Sequence, residues 1–249
     1  MKGFLAALGL LTIIRVPGAS GDGDSIARGA PWFPIVGLVI GAALAGTDRL
    51  LGGAPPHVAA ALVVLLWAAL TGFLHLDGTA DSCDALIASV PRERRLEIIR
   101  DPRIGAFGAA GLMLLLLLKV EGLASIQRGA SAAALFIAPS LARWAVLAAA
   151  RQPLARPGGM AAALRPGATL PVAIGSAAVP AALLIFLGLE APLAPILAAV
   201  LGLAAAGAIV LAARSRMGGV TGDILGFLIE ATEAGVIVAF ALAPARGVA

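Results

Sequence analysis

The chain lacks most of what a soluble domain uses to face water. Only 13% of its 249 residues are charged, only 4% are aromatic, and tyrosine is absent. Its basic residues are not interleaved with aromatic ones, so we expect no nucleic-acid partner. The single cysteine, Cys83, excludes an intramolecular disulfide and is interpreted as a small packing residue.

The chain is instead rich in hydrophobic residues, which form long apolar runs. Hydrophobic residues make up 60% of it, and its mean hydropathy is +1.00, as in multi-pass membrane proteins. A helix needs about 20 apolar residues to cross a bilayer. Seven runs approach that length: Phe33–Leu51, Val58–Leu74, Gly105–Leu123, Ala132–Ala150, Leu170–Leu189, Pro192–Ala213 and Ile224–Ala243. We therefore predict an all-α polytopic integral membrane protein with about seven transmembrane helices, forming one domain over residues 1–249.

Two further segments are predicted to be helical without spanning. The run Phe4–Ile14 is too short to cross a bilayer comfortably and is predicted to form an N-terminal interfacial or re-entrant helix. Over residues 85–100, apolar side chains alternate with charged ones. This pattern is typical of an amphipathic helix on the cytoplasmic surface, with a break near Pro91. The arginines of Arg92–Arg95 are interpreted as a solvated face near anionic lipid, with substrate binding as the alternative.

The charges of the connecting segments predict the orientation. The loops after the first, third, fifth and seventh apolar runs, counted from Phe4–Ile14, are long and basic. The other loops are short and carry almost no Lys or Arg. Basic loops remain in the cytoplasm. Every polar motif described below lies in the basic loops or at their membrane edges, so we expect one site that faces the cytoplasm.

The most informative polar segment runs from His75 to Asp84 and directly follows an apolar run. In a helix, Asp77, Asp81 and Asp84 share one face. Unpaired carboxylates beside a membrane are costly, and hard cations such as Mg²⁺ take oxygen ligands, so we predict a Mg²⁺ site. The attraction of acids to a helix N-terminus accounts for Asp77, and at most for Asp81 as well, but not for all three acids and the glycine. His75 is interpreted as a base, a phosphate donor or a hydrogen-bonding residue at the helix entry.

Three other segments have residues suited to phosphate binding. They begin at Arg28, at Arg100 and at Gly218. An arginine can hold a phosphate with two hydrogen bonds, although basic residues also flank spans for topological reasons. A glycine-rich turn that opens a helix presents free N–H groups to an anion. Such a turn precedes Asp223, and Glu230 follows two turns along the same helical face. The candidate substrate ligands are Arg28, Arg100, Asp101, Arg103, Gly218, Gly219, Thr221 and Gly222.

Together these motifs resemble cobalamin synthase, the adenosylcobinamide-GDP ribazoletransferase family. The resemblance rests on four segments, which occur in the family's order and are distributed along most of the chain: Arg28–Pro34, Gly72–Asp84, Arg100–Gly108 and Gly218–Gly226. It implies a Mg²⁺-dependent enzyme of the bacterial inner membrane. Such an enzyme joins adenosylcobinamide-GDP to α-ribazole, or to its 5′-phosphate, and releases GMP. Homo-oligomerisation, or association with other cobalamin-assembly enzymes, stays open.

The residues suggest how this implied reaction runs. We expect the metal ligands to be Asp77, Asp81, Asp84, Asp223 and Glu230, with the last two serving a second ion or the attacking hydroxyl. Arg28 and Arg103 would offset phosphate charge. We expect the catalytic residues to be Asp81, His75 and Asp223. The choice of Asp81 or His75 as the proton acceptor stays open.

Two other classes of protein remain as alternatives. A CDP-alcohol phosphotransferase-like enzyme also uses an Asp-Gly-rich motif at a membrane surface. It requires an arginine where this chain has Asp81. A transporter predicts acids near the bilayer midplane in two related halves. Here the acids cluster toward one face, and the sequence has no evident internal repeat.

Overall fold

The computed structural model describes residues 1–16, 22–127, 129–189 and 193–243. These residues form helices and no β-strand, apart from one isolated bridge between Leu154 and Val220. The helices are α1 Lys2–Leu11, α2 Gly23–Gly29, α3 Phe33–Leu50, α4 Pro56–Leu70, α5 Leu74–Ile87, α6 Arg92–Ile98, α7 Ala106–Ser125, α8 Ser131–Ala149, α9 Gly159–Leu164, α10 Leu170–Ser176, α11 Ala178–Gly188, α12 Leu193–Met217 and α13 Gly222–Leu242. The all-α class is confirmed.

Six helical stretches within the described ranges are long and apolar enough to cross a membrane. They are Gly23–Leu50, Ala106–Ser125, Ser131–Ala149, Leu170–Gly188, Leu193–Met217 and Gly222–Leu242. The pair α4 and α5 makes a seventh if it is counted as one span, bent by 91°. About seven spans are therefore confirmed. Pro192, the predicted start of one span, lies outside the described residues.

The second span differs from its predicted bounds of Val58–Leu74. Helix α4 ends at Leu70, and the chain turns before α5 begins. The turn is invisible to hydropathy because Phe73 and Leu74 are as apolar as the helix before them. Its cause is the backbone at Gly72 and Phe73, which is described with the site.

The predicted amphipathic segment is divided between two helices, and the predicted break near Pro91 is confirmed. Helix α5 ends at Ile87, and α6 begins after Pro91. The prediction of a solvated basic face is wrong for Arg95, whose residue is only 8% exposed. Its Nη1 donates to the carbonyl oxygens of Ala85 at 2.6 Å and Leu86 at 2.9 Å. The last carbonyls of a helix have no partner within it, so a buried guanidinium stabilises the end of α5.

Helices α8 and α13 form the centre of the bundle. In the most apolar stretch of each of these two helices, 72% of the residues are buried inside the protein. In the span Leu170–Gly188 the corresponding share is 11%. Helix α13 packs against α5, α7, α8 and α12. Whatever α13 carries is therefore fixed by neighbours on several sides, and the other spans lie around it.

Helices α3 and α8 pack backbone to backbone. A Cβ atom at Gly37 would lie 2.6 Å from Ser140 Cα, and one at Gly41 would lie 2.6 Å from Leu135 O. Between helices in lipid, small residues permit this approach, and van der Waals contact then supplies much of the association energy. The Gly37/Gly41 pair therefore marks a specific interface.

We expect Gly37→Val to destabilise the protein by about 2 kcal/mol or more, because the new side chain must separate two backbones. The matched control is Gly46→Val on the same helix, where a Cβ atom would meet nothing within 4 Å. Thermal unfolding in detergent micelles should show a loss of roughly 4–8 °C for Gly37→Val alone. Equal losses in the two variants would contradict this packing.

Candidate active site

A sharp backbone turn sets the direction of α5. Gly72 and Phe73 both adopt left-handed conformations, with φ of +61° and +58°. The N–H of Gly72 donates to Ala69 O at 3.0 Å, and the N–H of Phe73 donates to Ala68 O at 2.9 Å. These two bonds form a Schellman motif, which satisfies the last carbonyls of α4. Among the described residues, Phe73 alone has a positive φ without being glycine. Such strain is concentrated at functional sites.

The N-terminal segment braces the same turn. The N–H of Ile13, just after α1, donates to Leu70 O at 2.8 Å. The Thr71 hydroxyl donates to Trp67 O and Ala68 O, at 3.2 and 3.1 Å. These bonds fix the point at which α5 departs, and His75 and Asp77 lie in its first turn.

Helices α5 and α13 approach closely where both begin. A Cβ atom at Gly78 would lie 2.8 Å from Asp223 O, which explains why the position holds glycine. A Cβ atom at Gly226 would make only ordinary contact with His75, at 3.4 Å. This approach places Asp77 of α5 and Asp223 of α13 on the wall of one cavity of about 120 Å³, which we call the α5–α13 cavity.

Four carboxylates share this part of the molecule. Asp77 is exposed, whereas Asp81, Asp84 and Asp223 are half-buried. Asp81 is partly desolvated and experiences repulsion from the charges of the other three. Like charges gathered beside a membrane require a counter-charge. The structure thus brings together the predicted ligands of α5 and α13, with Glu230 as the exception.

The donor chemistry of this group fits Mg²⁺. Within the described residues, no group of three or more His, Cys, Asp or Glu side chains converges tightly enough to hold an ion by itself. Mg²⁺ does not demand such a cage, because it keeps several waters and binds through one or two carboxylates plus substrate phosphates. Asp77, Asp81 and Asp223 are the residues that would hold it.

Asp84 has a structural partner. Its two carboxylate oxygens accept from the N–H groups of Gly105 at 2.7 Å and Gly108 at 2.8 Å. Asp84 of α5 thereby caps the N-terminus of α7, where the first N–H groups have no helical partner. A side chain at either glycine would collide with the Asp84 carboxylate. The absence of a side chain at these glycines leaves room for the Asp84 carboxylate. Their N–H groups donate to it and are therefore not free for substrate.

The glycine-rich turn before α13 is packed against protein. A side chain at Gly219 would collide with the carbonyl oxygen of Pro153, and the N–H of Val220 donates to that oxygen at 2.8 Å. Gly218 has φ +80° and lies under the Arg92 guanidinium. A side chain at Gly222 would press on Met160. The need for glycine here is thus explained by close packing.

Thr221 and Arg156 orient Asp223. The Thr221 side chain accepts from the N–H of Ile224 at 3.3 Å as the N-cap of α13, and its hydroxyl donates to Asp223 Oδ2 at 3.1 Å. Arg156 Nη2 lies 3.8 Å from the same oxygen. Our sequence reasoning did not place Arg156 in the site, and it considered Arg92, which covers the turn, only as an alternative substrate ligand. Their signal was the basic character of the two loops that contain them.

The remaining predicted phosphate ligands lie in exposed segments. Arg28 is exposed, and its Nη2 donates to Ser25 Oγ at 2.9 Å. Arg100 is also exposed. Arg103 binds both carboxylate oxygens of Asp101, at 2.9 and 2.6 Å. These hydrogen bonds lower the pKa of Asp101 to about 2. Neither Arg28 nor Arg103 lines the α5–α13 cavity.

Glu230 belongs to a buried ion network instead of the aspartate group. Lys119 of α7 donates to Glu230 and Glu233 of α13, at 2.8 Å each. Arg143 of α8 pairs with the other oxygen of Glu233. Lys119 Nζ also lies 4.0 Å from the centroid of the Trp67 ring, a cation–π contact. The contacts of Glu230 therefore give no support to our prediction that it ligates a metal.

His75 lies near both this network and the α5–α13 cavity. It is buried, with 3% exposure, and it lines the cavity together with Asp77 and Asp223. The charges of Arg143, Glu233 and Lys119 are near enough to act on it. Its Nδ1 has no hydrogen-bond partner among the described residues.

Fold and site together define an all-helical, multi-pass membrane protein with a carboxylate-lined site. Comparison with known proteins gives the family. A family model described as cobalamin-5-phosphate synthase matches residues 3–241, and the chain belongs to this family. The match favours the family named by resemblance over the CDP-alcohol phosphotransferase and transporter alternatives.

Curated relatives agree over nearly the whole length. Three examples are each named adenosylcobinamide-GDP ribazoletransferase. The protein of Pseudomonas paraeruginosa is 40% identical over 97% of this chain and 98% of its own. The protein of Thermosynechococcus vestitus is 40% identical over 88% of each chain. The protein of Chlorobaculum tepidum is 36% identical over 95% of this chain and 93% of its own. No solved structure matches the chain.

If Asp84 acts as the cap of α7, Asp84→Ala should cost about 1 kcal/mol, because two backbone N–H groups lose their acceptor. Asp77→Ala removes an exposed carboxylate from a repulsive group and should change stability by less than about 0.5 kcal/mol. Thermal unfolding of the two purified variants measures the difference. A larger loss for Asp77→Ala than for Asp84→Ala would refute the capping role.

The buried network predicts a charge-balance effect. Lys119→Met should destabilise the protein by about 3–5 kcal/mol, since it leaves Glu230 buried without a cation. Adding Glu230→Gln removes that charge and leaves the Arg143–Glu233 pair intact, so the double variant should be more stable than Lys119→Met alone. Unfolding free energies in a double-mutant cycle test this. Strictly additive losses would show that the two residues are not coupled.

Proposed function

We propose that the protein transfers the adenosylcobinamide-phosphate moiety of adenosylcobinamide-GDP to α-ribazole, or to its 5′-phosphate, with release of GMP. The observation that carries this proposal is a cavity lined by Asp77 and Asp223, with Asp81 near enough to be repelled by both, in a chain of this family. The names of the curated relatives support both substrates.

In the proposed reaction, a ribose hydroxyl oxygen of the acceptor forms a bond to the phosphorus on the cobinamide side. The bond from that phosphorus to the bridging oxygen breaks, and GMP leaves with the bridging oxygen. The hydroxyl proton passes to a carboxylate of the aspartate group. Bond formation and bond breaking thus occur at one phosphorus atom, between the acceptor and the departing GMP.

The residues have distinct tasks in this scheme. Asp77, Asp81 and Asp223 would hold Mg²⁺, which supplies charge neutralisation on the diphosphate when bound. Thr221 and Arg156 keep Asp223 in position. Asp84 contributes indirectly, since it joins α5 to α7.

We further propose that the site faces the cytoplasm of the bacterial inner membrane. The basic loops support this orientation under the positive-inside rule. Two arginines from those loops, Arg92 and Arg156, lie beside the turn that opens α13. A cytoplasmic site would meet a charged nucleotide substrate without any need for its transport.

Asp77→Asn tests the proposal. It keeps the size of the side chain but removes an anionic ligand, so GMP release should fall by roughly 10²-fold or more and fall furthest at limiting Mg²⁺. The matched control is Asp48→Asn at the far end of α3, about 22 Å along that helix from the cavity residue Phe33. GMP release from adenosylcobinamide-GDP is measured with and without α-ribazole.

The control variant should retain the wild-type rate, since amide and carboxylate alike accept the bond from Ser131. A folded Asp77→Asn protein with wild-type turnover at limiting Mg²⁺ would remove Asp77 from the mechanism. A wild-type protein that releases no GMP when both substrates and Mg²⁺ are present would overturn the proposed function itself.

A further inference from the structure

A larger cavity, which we call the second cavity, lies at the end of the bundle opposite the aspartates. It measures about 500 Å³ and lies among the ends of α3 and α7, the beginnings of α4 and α8, and the loops that join them. Helix α3 runs from Phe33 in the α5–α13 cavity to Arg49 in the second cavity, a rise of about 24 Å. No described residue lines both cavities, so the proposed reaction makes no use of the second one.

Small residues create this space between the helices. Helices α3 and α8 touch at Gly37 and Gly41, but further along α3 a Cβ atom at Gly46 would meet nothing within 4 Å. Alanine and glycine make up more than half of the described lining. Protein interiors seldom leave a void larger than a water molecule, and ligand sites measure about 300–1,000 Å³. The volume of the second cavity is therefore that of a ligand site.

The second cavity opens toward the lipid. Ala42 of α3 and Ala132 of α8 line it and are exposed, although both belong to spanning helices. Ala42, Gly46 and Arg49 follow one another at intervals of four and three residues, so they lie on one face of α3. An apolar groove thus leads over about 10 Å to a positive charge. A ligand that matches it has an apolar chain and a polar group with a negative charge.

One cation and one anion lie in the described lining. Asp48 accepts from the Ser131 hydroxyl at 2.7 Å, which joins the end of α3 to the beginning of α8. Arg49 is exposed, and its guanidinium has no hydrogen bond or ion pair with any other described residue. A guanidinium binds a phosphate through charge-assisted hydrogen bonds. An arginine in the last turn of α3 also offsets the helix dipole, but that role alone would not make lipid binding depend on it.

We propose that the second cavity binds one zwitterionic phospholipid, with its phosphate on Arg49 and one acyl chain along the groove at Ala42 and Gly46. The charges of Asp48 and Arg49 cancel within the lining, so a headgroup without net charge is favoured over an anionic one. In the orientation proposed above, this lipid belongs to the outer leaflet. The proposal goes beyond the proposed function and does not depend on it.

Arg49→Gln tests the phosphate contact. The full-length protein is delipidated in detergent and titrated with dioleoylphosphatidylethanolamine, and native mass spectrometry gives the Kd of the first bound lipid. We expect this Kd to rise about 10-fold or more, because hydrogen bonds to a charged group are lost. The matched control is Arg214→Gln, which removes another exposed arginine from the last turn of a spanning helix, outside the cavity. Its Kd should change less than about two-fold, and an unchanged Kd for Arg49→Gln would overturn the proposal.

Ala42→Phe tests the acyl groove. The new ring occupies space along α3, so we expect the Kd for the same lipid to rise about 10-fold or more as apolar contact is lost. Ala43→Phe is the matched control, because Ala43 is also exposed on α3 but lies outside the cavity lining. Equal affinities of these two variants would show that the chain does not lie in the groove. Thermal unfolding without added lipid checks that each variant is folded.

Ligand comparisons on the wild-type protein need no variant. Phosphatidylglycerol with the same chains should bind about three-fold more weakly or worse, because its net charge is not balanced in the cavity. Binding as tight as that of phosphatidylethanolamine would overturn the zwitterionic assignment. Glycerophosphoethanolamine has the headgroup without the chains and should not displace the lipid at equal concentration. Displacement would indicate a phosphate site instead of a lipid site. GMP release is no part of these titrations, so a failure of the proposed function is seen separately.

Discussion

Charge neutralisation inside the helical bundle is the constraint on which the structure depends. Lys119, Arg143, Glu230 and Glu233 come from three helices and meet where water cannot compensate them. Two cations and two anions cancel, which is the condition for keeping ionised groups at such depth. Since α13 contributes both anions, its rotation and height relative to α7 and α8 are fixed by this balance.

The site follows from that fixed helix. Once α13 is set, its first turn presents Asp223, and the close approach at Gly78 brings α5 against it. Helix α5 can lie there only because the chain turns sharply at Gly72 and Phe73. The Asp84 cap then joins α5 to α7. The polar site is thus formed by the ends of helices, and the apolar remainder of these helices packs within the bundle.

The sequence allowed the class of fold, the approximate spans and the aspartate face to be predicted, because each depends on local pattern. Hydropathy reports burial in lipid, and spacing reports a shared helical face. The turn at Gly72 was not predictable in this way. It depends on a bond from Ile13, distant in sequence, and its own residues are apolar. Arg95 was misjudged for a similar reason, since its partners are the carbonyl oxygens of another helix.

Glu230 shows the limit of reasoning from an acid in an apolar helix. The same pattern suits a metal ligand and one half of an ion pair, and only the partner decides. The signals were Lys119 and Arg143, two cations inside predicted spans that needed anions of their own. Asp84 was ambiguous in another sense, because a carboxylate face does not reveal that one of its members caps a neighbouring helix.

The shortness of α4 has a consequence for the surrounding bilayer. Its 15 residues extend about 22 Å, whereas the hydrocarbon layer is about 30 Å thick. Hydrophobic mismatch of this size is relieved by local thinning of the lipid next to a short helix. The headgroup region would then dip toward the turn at Gly72, and water would reach the aspartates along the protein wall. A charged ligand could thus reach the aspartates at this boundary without entering the hydrocarbon layer itself.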